Sequence, residues 1–303
     1  MDDKFKNVTA AIDDSDASDF IVNCLKSFNK FGTQKINLVT VVSFPHESEA
    51  KEFDTSSQQK RLDNYKKGLE NAGFEVTTDL RAGTHYYPPV EILQSAEENK
   101  SGLIVIGNRG QSRVQELLLG STATELLQRS EWPVFLINIQ IQQEGDDVNS
   151  RKFVLKKPCS DALSHVLYPT DFSDNANRAF EVVKALDKKG SIGKVSFIHV
   201  QGHHAIALKD PVSRQKLADR NDKQMNSLRN LLTPEIREES EIFITYGTPA
   251  KEILATAEEQ GATMFIMGSQ GRGFVRDFFL GGVSNYITRY SNIPVLLIPA
   301  ERE

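Results

Sequence analysis

Short apolar runs alternate with longer amphipathic segments along the first half of the chain. The apolar runs are rich in β-branched residues and predict strands at 8–12, 36–42, 74–80, 103–106 and 134–137. The segments between them carry apolar residues at helical spacing, as Ile21, Leu25 and Phe28 do. Because the run at 103–106 is apolar on both faces, we expect helices to cover its strand on both sides. Alternating strands and helices of this kind predict a doubly wound parallel sheet of five strands.

The same alternation recurs in the second half of the chain. Its predicted strands lie at 165–169, 194–200, 241–246, 264–267 and 295–298, and its helices at 174–188, 212–232, 250–259 and 283–290. Glu91-Ile92-Leu93 reappears 161 residues later as Glu252-Ile253-Leu254, and Asp13 reappears 158 residues later as Asp171. A period near 160 residues is too long for a solenoid and indicates a duplicated domain. We place the domains at 1–141 and 163–303, joined by a linker at 142–162 that is rich in charge, Gly, Asn and Pro.

Composition is typical of a soluble globular protein. Hydrophobic residues make up 39% and charged residues 25%, which excludes collagen-like, disulfide-scaffold and disordered classes. With 36 Lys and Arg against 41 Asp and Glu, the formal charge is -5, which argues against DNA or an anionic membrane as a partner. No apolar run reaches the ~20 residues of a membrane helix, and the N-terminus lacks a secretory signal pattern. Cys24 and Cys159 form no CxxC motif and no disulfide framework, so we expect a reducing, cytoplasmic location.

Glycine-rich turns follow the fourth predicted strand of each half, with the same spacing in both copies. Glycines let the backbone approach a phosphate closely, and the helix that follows offers N–H groups with a favourable dipole. The candidate phosphate-binding residues are Gly107, Gly110, Gly120 and Ser121 in the first half, and Gly268, Gly271, Gly281, Gly282, Val283 and Ser284 in the second. The alternative is that the glycines only satisfy turn geometry. Neither turn matches a Walker P-loop or the dinucleotide-binding fingerprint.

Other charged and aromatic residues near these turns have two interpretations each. Four arginines in or just after the turns either neutralise phosphates or are solvated loop charges: Arg109, Arg113, Arg272 and Arg276. His203 and His204 suggest a metal, but no further ligand at metal-binding spacing supports one, so no metal site is predicted. The first half also carries an insertion, His85-Tyr86-Tyr87, that forms either a loop over the site or an exposed turn.

Carboxylates follow the first predicted strand of each half. Asp13 comes after Ile12, and Asp171 comes after Pro169 and Thr170. Ligands of open α/β sheets bind at the carboxyl ends of the strands, where a carboxylate can accept hydrogen bonds from ribose hydroxyls or a base amino group. The alternative role is helix capping, because Asp and Ser both cap helices well. Capping is the favoured role of three residues that follow these aspartates closely, Asp14, Ser15 and Ser173.

These segments resemble the universal stress protein family. The resemblance rests on VLYPTDFSDNANRAFE, on the GT and P..EIL segment, and on the glycine pattern followed by a hydrophobic helix and a Pro-Val strand. It covers both halves and leaves out only the linker. The resemblance implies two Rossmann-like domains of the adenine nucleotide alpha-hydrolase type, with ATP or a related adenine nucleotide as the ligand. It also implies that Val41 and Val200, at the ends of the second strands, line an adenine pocket.

Each half departs from the family pattern. The first has Thr122-Ala123 where the family usually has Val and then Ser or Thr, and Ala11-Ile12-Asp13 in place of Pro-Thr-Asp. The second keeps Pro169-Thr170-Asp171 but has Gly282 where a hydroxyl is usual. A lost hydrogen bond costs about 0.5–1.5 kcal/mol if it is neutral and up to about 3 kcal/mol if its acceptor is charged, which weakens phosphate binding without abolishing it. We therefore favour the second half slightly as the ATP site and keep the first as a candidate.

The function that the resemblance implies is that of a stress-responsive regulatory protein. Binding of an adenine nucleotide would change its conformation or its affinity for a protein partner that the sequence does not identify. Two alternatives stay open: a weak ATPase with Mg²⁺ on the phosphates, and an interaction module whose degenerate pockets bind no nucleotide. No catalytic residue is predicted, because no general base can be assigned.

The last predicted strand of each half, at 133–137 and at 294–299, is apolar and begins with Pro. An exposed apolar edge strand promotes aggregation unless something covers it. Single-domain members of the family that this sequence resembles typically dimerise through that strand. The resemblance therefore implies that the two halves pair within one chain as a pseudo-dimer, and a further homodimer is compatible with that arrangement.

Overall fold

The computed structural model describes residues 4–44, 54–110, 119–143, 151–202, 210–271 and 280–301. The chain divides into two compact units, Met1–Ser160 and Asp161–Glu303, which we call the first and second halves.

The first half contains a parallel sheet with helices between its strands. Its strands are β1 (Asn7–Ala11), β2 (Lys35–Phe44), β3 (Glu75–Thr84), β4 (Leu103–Gly107) and β5 (Val134–Ile137). Its helices are α1 (Ala17–Leu25), α2 (Ser56–Glu70), α3 (Pro88–Glu98) and α4 (Ser121–Arg129). The strands lie in the order β3-β2-β1-β4-β5, and every neighbouring pair is parallel.

The chain then passes through β6 (Gln140–Gln143) and β7 (Arg151–Val154) into the second half. The second half repeats the arrangement of the first. Its strands are β8 (Val166–Pro169), β9 (Val195–Gln201), β10 (Glu241–Tyr246), β11 (Met264–Gly268) and β12 (Val295–Ile298). Its helices are α5 (Asp174–Lys188), α6 (Pro211–Arg229), α7 (Pro234–Glu239), α8 (Pro249–Glu259) and α9 (Gly282–Tyr290). The parallel strand order is β10-β9-β8-β11-β12.

The order of strands reverses beside the first strand of each half. In the first half the chain moves from β1 to β2 and β3 on one side, and then returns to place β4 and β5 on the other. The carboxyl ends of β1 and β4 therefore meet at a topological switch point, as do those of β8 and β11, and this is where open α/β sheets bind ligands. These sheets confirm the predicted α/β class with doubly wound parallel strands.

The sheet cores are apolar on both faces, as the sequence pattern predicts. Each residue of β4 and β11 is buried. In the first half, the rings of Phe28, Phe31 and Phe135 pack against one another, with Phe28 and Phe135 centroids 5.1 Å apart. In the second half, Tyr168, Phe180 and Phe197 form a corresponding cluster.

The predicted linker at 142–162 contains secondary structure that the sequence pattern did not predict. β6 and β7 pair as an antiparallel ladder, with Gln140 opposite Val154. A 3-10 turn follows at Cys159–Asp161. The short helix α7 was also missed, because its six residues are too few to produce a periodic pattern.

The two cysteines form a disulfide, which corrects the expectation that the chain has no disulfide framework. Cys24 lies on the buried face of α1, and Cys159 lies in the linker, with 5.0 Å between their Cα atoms. Lys30 donates a hydrogen bond to the Ser160 carbonyl at 2.7 Å and holds the same segment of linker. The cysteines are 135 residues apart in sequence, and their pairing depends on a tertiary contact that local spacing does not encode.

Among the described residues, no helix combines the length and the apolar character that crossing a membrane requires.

Candidate functional site

The second half has a cavity of about 400 Å³ at the carboxyl ends of its strands. Ten of its lining residues are the ten that the sequence predicts for this half: Pro169, Thr170, Asp171, Val200, Gly268, Gly271, Gly281, Gly282, Val283 and Ser284. They come from three places in the chain, the ends of β8 and β9 and the segment from β11 to α9. The structure therefore brings these residues together, while their contact with a ligand stays a prediction.

The first half has an equivalent cavity of about 330 Å³. All seven residues predicted for this half line it: Ile12, Asp13, Val41, Gly107, Gly110, Gly120 and Ser121. Both volumes lie within the range of roughly 300–1,000 Å³ that is typical of small-molecule sites.

The aspartate after the first strand lies against the second glycine of the turn in both halves. A Cβ atom built on Gly271 would stand 2.6 Å from Asp171 Oδ2, and one built on Gly110 would collide with Asp13 Oδ2 in the same way. The other carboxylate oxygen accepts a local backbone hydrogen bond, from the Ser173 N–H to Asp171 at 3.0 Å and from the Ser15 N–H to Asp13 at 3.0 Å. Each carboxylate is thus held in one orientation at the cavity wall.

None of the predicted glycines has a positive φ, so turn geometry is not what requires glycine at these positions. Neighbouring side-chain or backbone atoms lie within 4 Å of a Cβ built on each of them except Gly282. A Cβ on Gly271 would meet Asp171, and a Cβ on Gly268 would stand 2.8 Å from Asn175 Cγ. Gly282 differs from the others, because a Cβ built there has nothing within 4 Å.

A helix begins at the third glycine in each half. Gly120 is the N-cap of α4 and Gly281 is the N-cap of α9. The first backbone N–H bonded within α9 is that of Asn285, which donates to the Gly281 carbonyl at 2.8 Å. The N–H groups of the first turn precede that bond and, with the helix dipole, favour an anion at this end of the cavity.

The hydroxyl of Ser284 has a structural role. It is buried and donates to the Gly268 carbonyl at 2.9 Å, which ties α9 to the end of β11. The place of Ser284 among the phosphate-binding residues stays a prediction. Ser121, at the start of α4, is exposed at the cavity and remains the hydroxyl candidate.

Capping was predicted correctly for one residue and wrongly for two. Ser173 is the N-cap of α5, and its side chain accepts from the Ala176 N–H at 3.2 Å. The N-cap of α1 is Asp16, which makes no side-chain capping bond. Asp14 instead accepts from the Gln58 amide at 2.8 Å, and the Ser15 hydroxyl donates to Asp13. Asp14 and Ser15 lie in the bend between Asp13 and α1 and therefore come before the capping position, which is Asp16.

Apolar residues complete both cavities. Val41 and Val200 are half-buried at the cavity walls, and their contact with an adenine ring stays a prediction. Several wall residues are not among those that the sequence predicts, above all Pro88 with Ile92 and Pro249 with Ile253, at the starts of α3 and α8. These pairs are 161 residues apart, the same offset that relates the glycines, so the repeat itself contained the signal that would have found them.

Helix α2 braces the Asp13 loop of the first half. The Arg61 guanidinium donates to the carbonyls of Asp14 and Ser15 at 2.8 and 3.0 Å. Tyr65 donates to Asp19 at 2.5 Å. Burial and this hydrogen bond raise the pKa of Tyr65 to about 12, so its hydroxyl stays protonated and keeps donating at neutral pH.

An ion-pair network lies behind the first cavity. Arg81 is opposite Val41 in the ladder of β2 and β3, and it contacts Asp79 at 2.9 Å, Glu91 at 3.3 Å and also Glu98. Burial by itself would lower the pKa of Arg81, but the hydrogen bond to Asp79 and the neighbouring carboxylates outweigh it and raise the pKa. Arg81 is therefore a permanent cation that fastens β3 to α3 beside the cavity.

The remaining candidates are the arginines near the glycine turns, the two adjacent histidines and the insertion of the first half. Arg109 lines the first cavity, where its Nε donates to the Ile139 carbonyl at 3.1 Å. Tyr86 and Tyr87 are exposed, and no residue of the insertion lines the cavity, which favours the exposed turn. Five candidates lie outside the described residues: Arg113, His203, His204, Arg272 and Arg276. The described residues contain no group of three or more His, Cys, Asp or Glu side chains that could hold a metal ion.

Known universal stress proteins are similar to this chain in sequence and in fold. The chain is 32% identical over 151 residues to a universal stress protein of Methanocaldococcus jannaschii, which covers 44% of this chain and 93% of that protein. It is 24% identical over 229 residues to one of Mycolicibacterium smegmatis, covering 76% and 70%. The fold is similar to the crystal structure of a universal stress protein from Archaeoglobus fulgidus, with 27% identity, coverage of 97% and 98%, and a TM-score of 0.70.

The model of the universal stress protein family matches residues 4–138 and, separately, residues 163–299. Most of each half is therefore matched by one copy of the family pattern, as the repeat predicts. The chain belongs to the universal stress protein family, of which it carries two tandem copies.

Proposed function

We propose that this protein is a stress-responsive regulator that binds ATP or a related adenine nucleotide, with one site in each half. The proposal is supported by an arrangement that occurs once in each half. Two separate segments of the chain each bring a fixed carboxylate, a glycine turn and a helix N-terminus to one cavity at a switch point.

Each part of such a nucleotide has a suitable surface in the second half. The apolar side chains of Ile198, Val200 and Ile253 suit an adenine ring, which is flat and largely apolar on its faces. The Asp171 carboxylate suits ribose hydroxyls, because an ionised carboxylate is a strong hydrogen-bond acceptor. The first turn of α9 suits phosphate, because its amide groups and dipole stabilise negative charge.

The chemistry proposed is binding, with no catalytic step. Nucleotide occupancy would add a charged ligand beside the turn at Gly268 and Gly271 and so change the surface that a partner protein meets. The ATPase alternative would need a group that activates water beside the terminal phosphate, and no described residue has been assigned that role. We therefore treat hydrolysis as an outcome to be measured.

The first experiment is a mass spectrum of small molecules released from denatured pure protein, followed by calorimetric titration with ATP, ADP and GTP, each with and without Mg²⁺. We expect adenine nucleotides to bind and GTP to bind more weakly. Asp171→Ala should lower affinity in the second half with little change in unfolding, because the carboxylate lies at a strand end. Phosphate release above background would favour the ATPase. The absence of any nucleotide binding would favour the interaction module and overturn the proposal.

A further inference from the structure

Asn175 joins three elements that meet behind the second cavity. It is the second residue of α5 and is buried. Its Oδ1 accepts from the Gln270 N–H at 2.8 Å, within the glycine turn, and its Nδ2 donates to the Ile298 carbonyl at 3.2 Å, at the end of β12. One side chain thus links a helix start, the turn and the last strand of the sheet.

The amide orientation of Asn175 is determined by its partners. A backbone N–H can only donate and a carbonyl can only accept, so a flipped amide would lose both bonds. The side chain also lies so close to Gly268 that a Cβ on that glycine would stand 2.8 Å from Asn175 Cγ. The position of the turn is therefore specified by contact as well as by hydrogen bonding.

The first half has no asparagine at the position equivalent to Asn175. Repeat spacing places Ala17 where Asn175 stands, and a methyl group can make neither hydrogen bond. Near Gly107 the closest atoms to a built Cβ are instead the Arg109 carbonyl at 3.1 Å and the Ile21 and Ile139 side chains at 3.3 Å. In the first half, a backbone carbonyl and two apolar side chains are thus the nearest neighbours of this glycine, and no asparagine amide is among them.

We propose that Asn175 is a positioning residue for the anionic end of the ligand in the second half. This inference rests on the proposed nucleotide function and adds which residue sets the geometry of the phosphate turn. Asn175 does not line the cavity, so it acts through the backbone from Gly268 to Gly271. The nucleoside end of the ligand meets residues of β8, β9 and α8, which Asn175 does not hold.

The test separates phosphate binding from nucleoside binding in the intact chain. Photolabelling with 8-azido-ADP and with 8-azidoadenosine, followed by peptide mapping, gives a half-saturating concentration for each half. In Asn175→Ala, the value for 8-azido-ADP in the second half should rise about tenfold. This change corresponds to the loss of one hydrogen bond, the one that holds the Gln270 N–H of the turn. The value for 8-azidoadenosine should change less than about twofold.

The chain provides two matched controls. Asn177→Ala alters the same residue type on the exposed face of the same helix and should change neither value. Labelling of peptides from the first half should be unaffected by Asn175→Ala. If Asn175→Ala does not fold, Asn175→Ser keeps one hydroxyl at the position and should give a smaller rise in the same direction.

Three outcomes would overturn the inference. An equal rise for both probes would mean that Asn175 supports the whole site, and an unchanged 8-azido-ADP value would mean that it does not position the turn. If neither probe labels the parent protein, the proposed nucleotide function is overturned as well. This outcome differs from the other two, in which the parent protein is labelled.

Discussion

Adding a hydroxyl at Gly282 should strengthen anion binding in the second half. Gly282 is the first residue of α9, and a Cβ built on it has nothing within 4 Å. The equivalent residue of the first half is Ser121, which is exposed at its own cavity. Gly282→Ser therefore places in the second half the group that the first half already has, without displacing any neighbour.

The size of the effect follows from the charge of the acceptor. A hydrogen bond to a charged group contributes about 1.5–3 kcal/mol, and about 1.4 kcal/mol corresponds to a tenfold change in affinity. Gly282→Ser should tighten nucleotide binding by roughly 10- to 150-fold if the hydroxyl reaches a phosphate. The new Cβ also stabilises the helix by up to about 1 kcal/mol, so folding stability alone is not a suitable measure.

Gly282→Ala is the matched control, because it adds the same Cβ without the hydroxyl. Calorimetric titration of parent, Gly282→Ala and Gly282→Ser with ADP and with adenosine would isolate the hydroxyl. We expect a gain for ADP only, and only in the serine variant. Equal affinity of the serine and alanine variants for ADP would show that no phosphate lies at the start of α9, and the assignment of this end of the cavity would then be wrong.

Further predictions concern the stability of the first half. Cys24→Ser should lower the free energy of unfolding of the first half by about 2–5 kcal/mol, because the disulfide closes a loop of 135 residues. In denaturant titrations, a reductant should produce the same loss in the parent protein and have no effect on the variant. Insensitivity of the parent to reductant would contradict the pairing. Arg81→Met should destabilise the first half by about 3 kcal/mol, because it leaves the partly buried Asp79 and Glu91 carboxylates without their cation. A loss under about 1 kcal/mol would mean that solvent screens the network, as it does for exposed ion pairs.

The sequence predicts the walls of the cavities better than it predicts what holds them. Strand ends and glycine turns recur with a fixed period, and that period places Asp171, Gly268 and Gly282 at one cavity. The contacts made by Asn175 and Gln58 have no such signal. A buried amide or carboxylate takes its partner from whichever element packs against it, and that choice depends on the tertiary structure and not on local spacing. The same reasoning explains why the disulfide was missed.

The two halves share one hydrogen bond at the end of their first strand. The carbonyl at the end of the first strand is bonded in both: Thr40 donates to Ile12 at 3.2 Å, and His199 Nδ1 donates to Thr170 at 2.8 Å. Two unlike side chains therefore satisfy the same buried acceptor, as the cost of an unpaired carbonyl demands.

The first turn of the following helix differs between the halves in a way that reaches the cavities. In the first half, the buried Ser18 hydroxyl lies 3.1 Å from the Asp13 carboxylate and accepts from the Asp13 N–H at 2.8 Å. In the second half, Asn175 is bonded to the glycine turn instead. The first half thus adds a bond to the carboxylate from its following helix, and the second adds a bond to the turn from its own. Since a rigid group loses less entropy on binding, the first cavity should discriminate most at the sugar and the second at the phosphates. Titration of each half with adenosine, deoxyadenosine and ADP would test this, because equal discrimination in both halves would show that these contacts do not control selectivity.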